Sequence, residues 1–262
     1  MLYDQGMAQM IFDLKGHVAL VTGGNGGLGL AMARGLAKAG ASIAVWGRNA
    51  EKNQTALADL ALLDADAAAF ACDVMDEGAI ARAMEATLAR FGRVDSCFAN
   101  AGGPGARGPF TSLTAEQWSQ SQLLNIGSVV STFQAATRHF VTRGGGGKLI
   151  VTSSIAGEIG IPMASPYSTT KAAVAGLVRA LAVELGPKGI QANAILPGFI
   201  ETELSLDTPR HFQDAARRRA CSGEIGRLED MEGIAVYLAS KESRFMTGQA
   251  LVIDGGHCIF PM

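Results

Sequence analysis

The chain of 262 residues is 48% hydrophobic and 18% charged, enough to bury a substantial core and too apolar for a disordered chain. A formal net charge of −2 leaves no basic surplus, which argues against nucleic acid or an anionic membrane as the main partner. The four cysteines, Cys72, Cys97, Cys221 and Cys258, form no C-x-x-C pair and no metal-ligand spacing, so reduced, mostly buried thiols, no metal and a cytoplasmic location are expected.

The opening segment carries Asp4 early, with no basic or sustained apolar run, and does not read as a signal peptide. "HVALVTGG" (17–24) predicts a buried strand and "LGLAMARGLAKAG" (28–40) a helix closed by Gly40. Strands follow at 41–47 and 67–74, a helix at 77–92, and strands at 94–103 and 148–154. A long helix is predicted at 165–185, then strands at 190–198 and 249–256. No stretch is long and apolar enough to span a bilayer.

Apolar strands alternating with Ala-rich helices predict an α/β fold: a single doubly wound Rossmann domain, 1–262, with a seven-stranded parallel sheet. The least regular stretch, 199–228, follows a strand end. A substrate lid and an ordinary pair of surface helices both fit it.

"VTGGNGGLG" (21–29) lies between a predicted strand and a predicted helix, the context in which a glycine loop admits a pyrophosphate to a helix N-terminus. Gly24, Gly26 and Gly29 fit G-x-G-x-x-G, and Gly23, Gly27 and Gly29 fit G-x-x-x-G-x-G. The second strand ends "VWGRN", with no carboxylate for a ribose 2′-hydroxyl. Arg48 there can neutralise a 2′-phosphate, and Asn25 and Asn49 can add neutral hydrogen bonds. NADP is therefore expected over NAD, and a solvated Arg48 would leave NAD possible.

Ser154 ends a predicted strand, Tyr167 follows thirteen residues later, and Lys171 lies one helical turn beyond Tyr167. A phenol and an ammonium on one helix face suggest proton transfer. A tyrosine packed in a core beside a lysine reaching water gives the same pattern.

With these motifs together, the sequence resembles the classical short-chain dehydrogenase/reductase family over nearly its whole length. "TGGNGGLG" is similar to the family's cofactor loop in the register Gly23, Gly27, Gly29, with Leu28 inside it. "CDV" resembles the adenine contact, implying Asp73 and Val74, and "NAGG" the sheet-steadying motif, implying Asn100 and Gly102. Asn125, Ser154, Tyr167 and Lys171 match the catalytic positions. "LPGFIET" resembles the nicotinamide-holding stretch, implying Pro197, Gly198, Ile200 and Thr202, and Thr152 joins the implied cofactor contacts.

The resemblance implies an oxidoreductase that interconverts a ketone and a secondary alcohol by hydride transfer. Tyr167 would be the general acid/base, its pKa lowered by Lys171, which also binds the nicotinamide ribose. Ser154 would orient the substrate oxygen, and Asn125 would hold a water. It also implies a homotetramer acting on a small carbonyl or alcohol substrate. A 3-oxoacyl-carrier-protein reductase is one alternative, for which only Arg143 and Lys148 offer basic surface. A sugar, polyol or cyclic-ketone dehydrogenase and a non-catalytic dinucleotide-binding regulator are the others. His257 reads as a surface or interface histidine, Trp118 and Phe133 as packing residues, and "ARRRA" (216–220) as a solvated helix face.

Overall fold

A computed structural model describes residues 11–259; the reading of the opening segment up to Met10 lies outside them. Seven strands form one parallel sheet: β1 (Val18–Thr22), β2 (Ser42–Gly47), β3 (Ala67–Ala71), β4 (Ser96–Ala99), β5 (Gly147–Thr152), β6 (Ile190–Pro197) and β7 (Ala250–Ile253). Their order is β3-β2-β1-β4-β5-β6-β7. The chain winds outward from β1 to β3, then returns to build the other half from β4. The order therefore reverses between β1 and β4, which pair with Val21 opposite Phe98. In open α/β sheets this reversal opens a crevice at the carboxyl ends of the strands.

Successive strand residues bury on opposite faces. Leu20 joins one apolar cluster, with Leu149, Val151 and Phe140. Ala19 and Val21 join the other, with Ile150, Ile195 and Met32. Two covered faces explain why the strands read as continuous apolar runs rather than alternating ones. On one face lie α1 (Gly27–Lys38), α2 (Ala50–Ala61) and α9 (Glu232–Ala239). On the other lie α3 (Glu77–Phe91), α5 (Ser128–Arg143) and α6 (Ser165–Leu185).

The strand expected over 94–103 shortens to Ser96–Ala99 because Asn100 turns back to bond β1. The last strand stops at Ile253, before Gly255 and Gly256 turn the chain with positive φ. The helices α2, α4 (Ala115–Gln122), α5 and α9 go beyond those the pattern predicts. α2 buries only Asn53, Ala56 and Leu60, so it shows little apolar periodicity. The irregular 199–228 stretch contains α7 (Glu203–Leu206) and α8 (Arg210–Arg219). Only Cys72 and Cys97 are buried; Cys221 is exposed and Cys258 partly so, because both lie on late surface turns, correcting the expectation of mostly buried thiols. Phe133 is a core residue, and Trp118 packs edge-on against exposed Phe110.

Candidate active site

The loop after β1 shapes the first half of the crevice. Gly23 has φ +63° and Gly27 φ +50°, a left-handed conformation that side chains resist. A side chain on Gly29 would run into the Gly23 carbonyl and the Asn100 amide. These three positions need glycine, whereas Gly26 is extended and open, so the register Gly23, Gly27, Gly29 fits the backbone. Leu28 packs against the core below. Thr22 completes the support, although no motif reading singled it out. Its hydroxyl accepts bonds from the amides of Asn100 and Ala101, each at 3.0 Å. The Asn100 side chain donates to the Thr22 carbonyl at 3.2 Å.

From there a cavity of about 250 Å³ extends toward β2 and β3, lined by Gly23, Asn25, Arg48, Asn49, Asp73, Val74 and Gly102 among others. Arg48 lies 3.7 Å from Asp73 across its mouth. Both side chains are largely in solvent, so the pair is weak and an incoming anion can displace it. Asn25 donates to Asn53 at 2.7 Å, and Asn49 caps α2 by accepting from the Lys52 amide. These two asparagines are thus partly engaged in holding the cavity wall. Lys52 also lines the cavity, a cation that the strand-end pattern did not reveal. It pairs with Glu203 of α7 at 2.7 Å.

Gly102 joins this half to the second. A side chain there would stand 2.9 Å from Asn125 Oδ1 and 3.6 Å from Lys171 Nζ. Asn125 sits on a single π turn, Leu123–Gly127, between α4 and α5. The turn directs its side chain inward, where Oδ1 accepts from the Gly103 amide at 3.1 Å. Asn125 Nδ2 and Thr152 Oγ1 are buried without a partner, as expected where a further polar group completes the site.

Tyr167 stands in the first turn of α6, just after Pro166, and Lys171 one turn along. Lys171 Nζ lies 5.7 Å from the Tyr167 ring centre and donates to the Thr152 carbonyl at 2.9 Å. Burial lowers the Lys171 pKa to about 8. Ser154 follows β5, and its hydroxyl both accepts from the Ala156 amide and faces the Tyr167 phenol. Burial raises the Tyr167 pKa, opposed by the Ser154 hydrogen bond and the charge of Arg107. The expected lowered phenol pKa is thus not found in the chain by itself, because desolvation outweighs those two influences.

On the far wall, Pro197 ends β6, and a side chain on Gly198 would run into Asp254 at 2.7 Å. Ile200 is buried and bridges to Gly226. Thr202 caps α7, and its methyl would lie 3.8 Å from a side chain on Gly27, facing the glycine loop. Arg143 does not offer free basic surface: it is tied to Asp95 and to the carbonyls of Val94 and Gly146. Lys148 bonds Ser243 at 3.0 Å. Both are drawn inward by partners at the amino end of the sheet, away from the crevice. His257 is half-buried, and that burial, with the charge of Arg219, lowers its pKa.

A glycine-lined crevice at the reversal point, with a serine, tyrosine and lysine gathered at its edge, defines an oxidoreductase of the doubly wound class. The profile of a family described as enoyl-(acyl carrier protein) reductase matches residues 23–257. Gluconate 5-dehydrogenase of Gluconobacter oxydans is 35% identical over 94% of this chain and 96% of its own. The 3-oxoacyl-[acyl-carrier-protein] reductase of Chlamydia muridarum is 32% identical over 93% and 98%. A 7α-hydroxysteroid dehydrogenase, solved with NADH and 7-oxoglycochenodeoxycholic acid, superposes with a TM-score of 0.89 at 28% identity. It covers 94% of this chain and 95% of that one. The chain belongs to the classical short-chain dehydrogenase/reductase family. Among the described residues no helix is long and apolar enough to cross a membrane.

Proposed function

We propose that the protein interconverts a ketone and a secondary alcohol with a nicotinamide dinucleotide, preferring NADP. The observation that carries this reading is the convergence of Tyr167, Ser154 and Lys171, with Lys171 Nζ held on the Thr152 carbonyl beside Gly102. Gly23, Gly27 and Gly29 would take the pyrophosphate, and Thr202 would stand near the nicotinamide carboxamide. Asp73 and Val74 would take the adenine side, and Arg48 the 2′-phosphate. Asn100, Gly102, Thr152, Pro197, Gly198 and Ile200 would border the nicotinamide half. The bound dinucleotide supplies the hydride donor or acceptor.

The chain's own residues handle the proton. Burial keeps the Tyr167 phenol protonated near neutral pH, which suits it to donate to a carbonyl oxygen oriented by Ser154. With Lys171 at about 8, the ammonium form predominates at pH 7. Its Nζ stands 5.7 Å from the ring centre, and a cation on that side favours the phenolate. This acts against desolvation and supports the phenolate left after donation. Asn125, with its free Nδ2, would hold a water through which Lys171 exchanges protons with solvent. The 199–228 stretch, with α7 and α8, would act as the substrate lid. A homotetramer is the proposed assembly, to be checked by light scattering.

The polyol and sugar-acid side of the family is favoured over carrier-protein substrates, because Arg143 and Lys148 are occupied internally. The test is turnover of a panel of ketones, 3-oxoesters, polyols and sugar acids with NADPH and NADH in both directions. Dinucleotide binding without turnover of any member would leave the non-catalytic regulator in its place.

A further inference from the structure

The loop after β4, Ala101–Pro109, carries one charged side chain, Arg107. Its backbone is fastened on both sides of that residue. The Ala106 amide donates to Ser121 Oγ of α4 at 3.0 Å, and the Gly108 amide donates to the Met163 carbonyl at 2.9 Å. Earlier in the loop, the Gly103 amide is held by Asn125. Met163 lies four residues before Tyr167, so the loop crosses in front of the amino end of α6. Among the described residues Arg107 pairs with no carboxylate, a state it shares with other exposed arginines such as Arg138, Arg179 and Arg244; what sets it apart is its place before α6. Its guanidinium is exposed, yet close enough for its charge to act on the Tyr167 phenol.

An exposed cation on a loop fixed at both neighbours, and bonded to the segment just before α6, is placed to meet an anion that arrives with the substrate. We propose that Arg107 recognises a carboxylate on the substrate, making hydroxy acids and oxo acids the preferred class. This rests on the oxidoreductase reading above and narrows it. The guanidinium offers a planar fork that matches a carboxylate in two parallel hydrogen bonds, which a lysine matches less well. The flanking anchors limit the backbone ordering that binding would otherwise require.

The experiment compares wild type, Arg107→Met and Arg107→Lys on matched pairs: 3-oxo acids with their methyl esters, and sugar acids with the corresponding alditols. The ratio of kcat/KM for acid over neutral partner cancels any general effect on Tyr167. That ratio should fall roughly 10- to 100-fold in Arg107→Met, the scale of a charged hydrogen bond, and recover in part in Arg107→Lys. An unchanged ratio in Arg107→Met overturns the proposal. If wild type turns over no pair, the oxidoreductase reading fails on its own account. The inference is then decided by thermal protection of the NADPH-loaded protein. Protection by the acids but not the esters, lost in Arg107→Met, upholds it; equal protection, or none in wild type, overturns it.

Discussion

Lys171 Nζ is anchored on the Thr152 carbonyl at 2.9 Å, so the cation of α6 is fixed to the end of β5. The bond sets the distance between the ammonium and the Tyr167 ring one turn away. If proton transfer is the role of this pair, Tyr167→Phe keeps the packing and loses the proton. Its kcat should fall about 10²- to 10⁴-fold, the usual contribution of a positioned acid or base. Circular dichroism and dinucleotide titration should match wild type, and near-normal kcat would refute the assignment.

The Lys171 pKa of about 8 sets a sign for the pH profile. Below it the ammonium supports the phenolate left after proton donation; above it that support is lost. Carbonyl reduction should therefore decline as pH rises through about 8. Lys171→Arg, which stays charged, should move that decline to higher pH. A wild-type profile with no break between pH 7 and 9 would contradict this.

Arg48 lines the cavity, and its ion pair with Asp73 is partly solvated, so the proposed NADP preference can be tested there. In Arg48→Ser the preference for NADPH over NADH, read as a ratio of kcat/KM values, should drop about 10- to 100-fold. Wild type already favouring NADH would remove the basis for an NADP site.

His17 reports on stability rather than catalysis. Its Nε2 is 2.9 Å from Ser96 Oγ, and burial lowers its pKa to about 4. The unfolded imidazole takes up a proton near pH 6.5 while the folded one resists it. Stability is therefore present above pH 6.5 and is lost as the pH falls toward 4, by about 3 kcal/mol in total. His17→Gln should show a shallower loss between pH 7 and 4.5 in urea denaturation. Parallel slopes for the two proteins would show that His17 does not titrate in that window.

The glycine loop was legible because its signals are local: a strand must stop, turn with positive φ, and begin a helix. The Tyr167–Lys171 spacing was legible because one helical turn brings such residues together. Thr22, Lys52 and Arg107 were not. Thr22 matters through the Asn100 and Ala101 amides, which arrive from another strand, and Lys52 reaches the crevice only because α2 begins at its rim. A lone arginine in a Gly- and Pro-rich loop carries no periodicity at all. The helices α2 and α4 bury too little apolar surface to show a pattern, so their packing decides them.

The sequence by itself determined the alternation of buried strands and helices, the glycine register and the i, i+4 pair, because each depends on contacts within a few residues. The tertiary structure alone decided which groups share the crevice. It brought Asn125 and Lys171 together beside Gly102, set Thr202 opposite Gly27, and tied Arg143 and Lys148 away from the site. It also set the protonation balance. Desolvation raises the phenol and lowers the ammonium, and its extent depends on how many distant residues exclude water from one point.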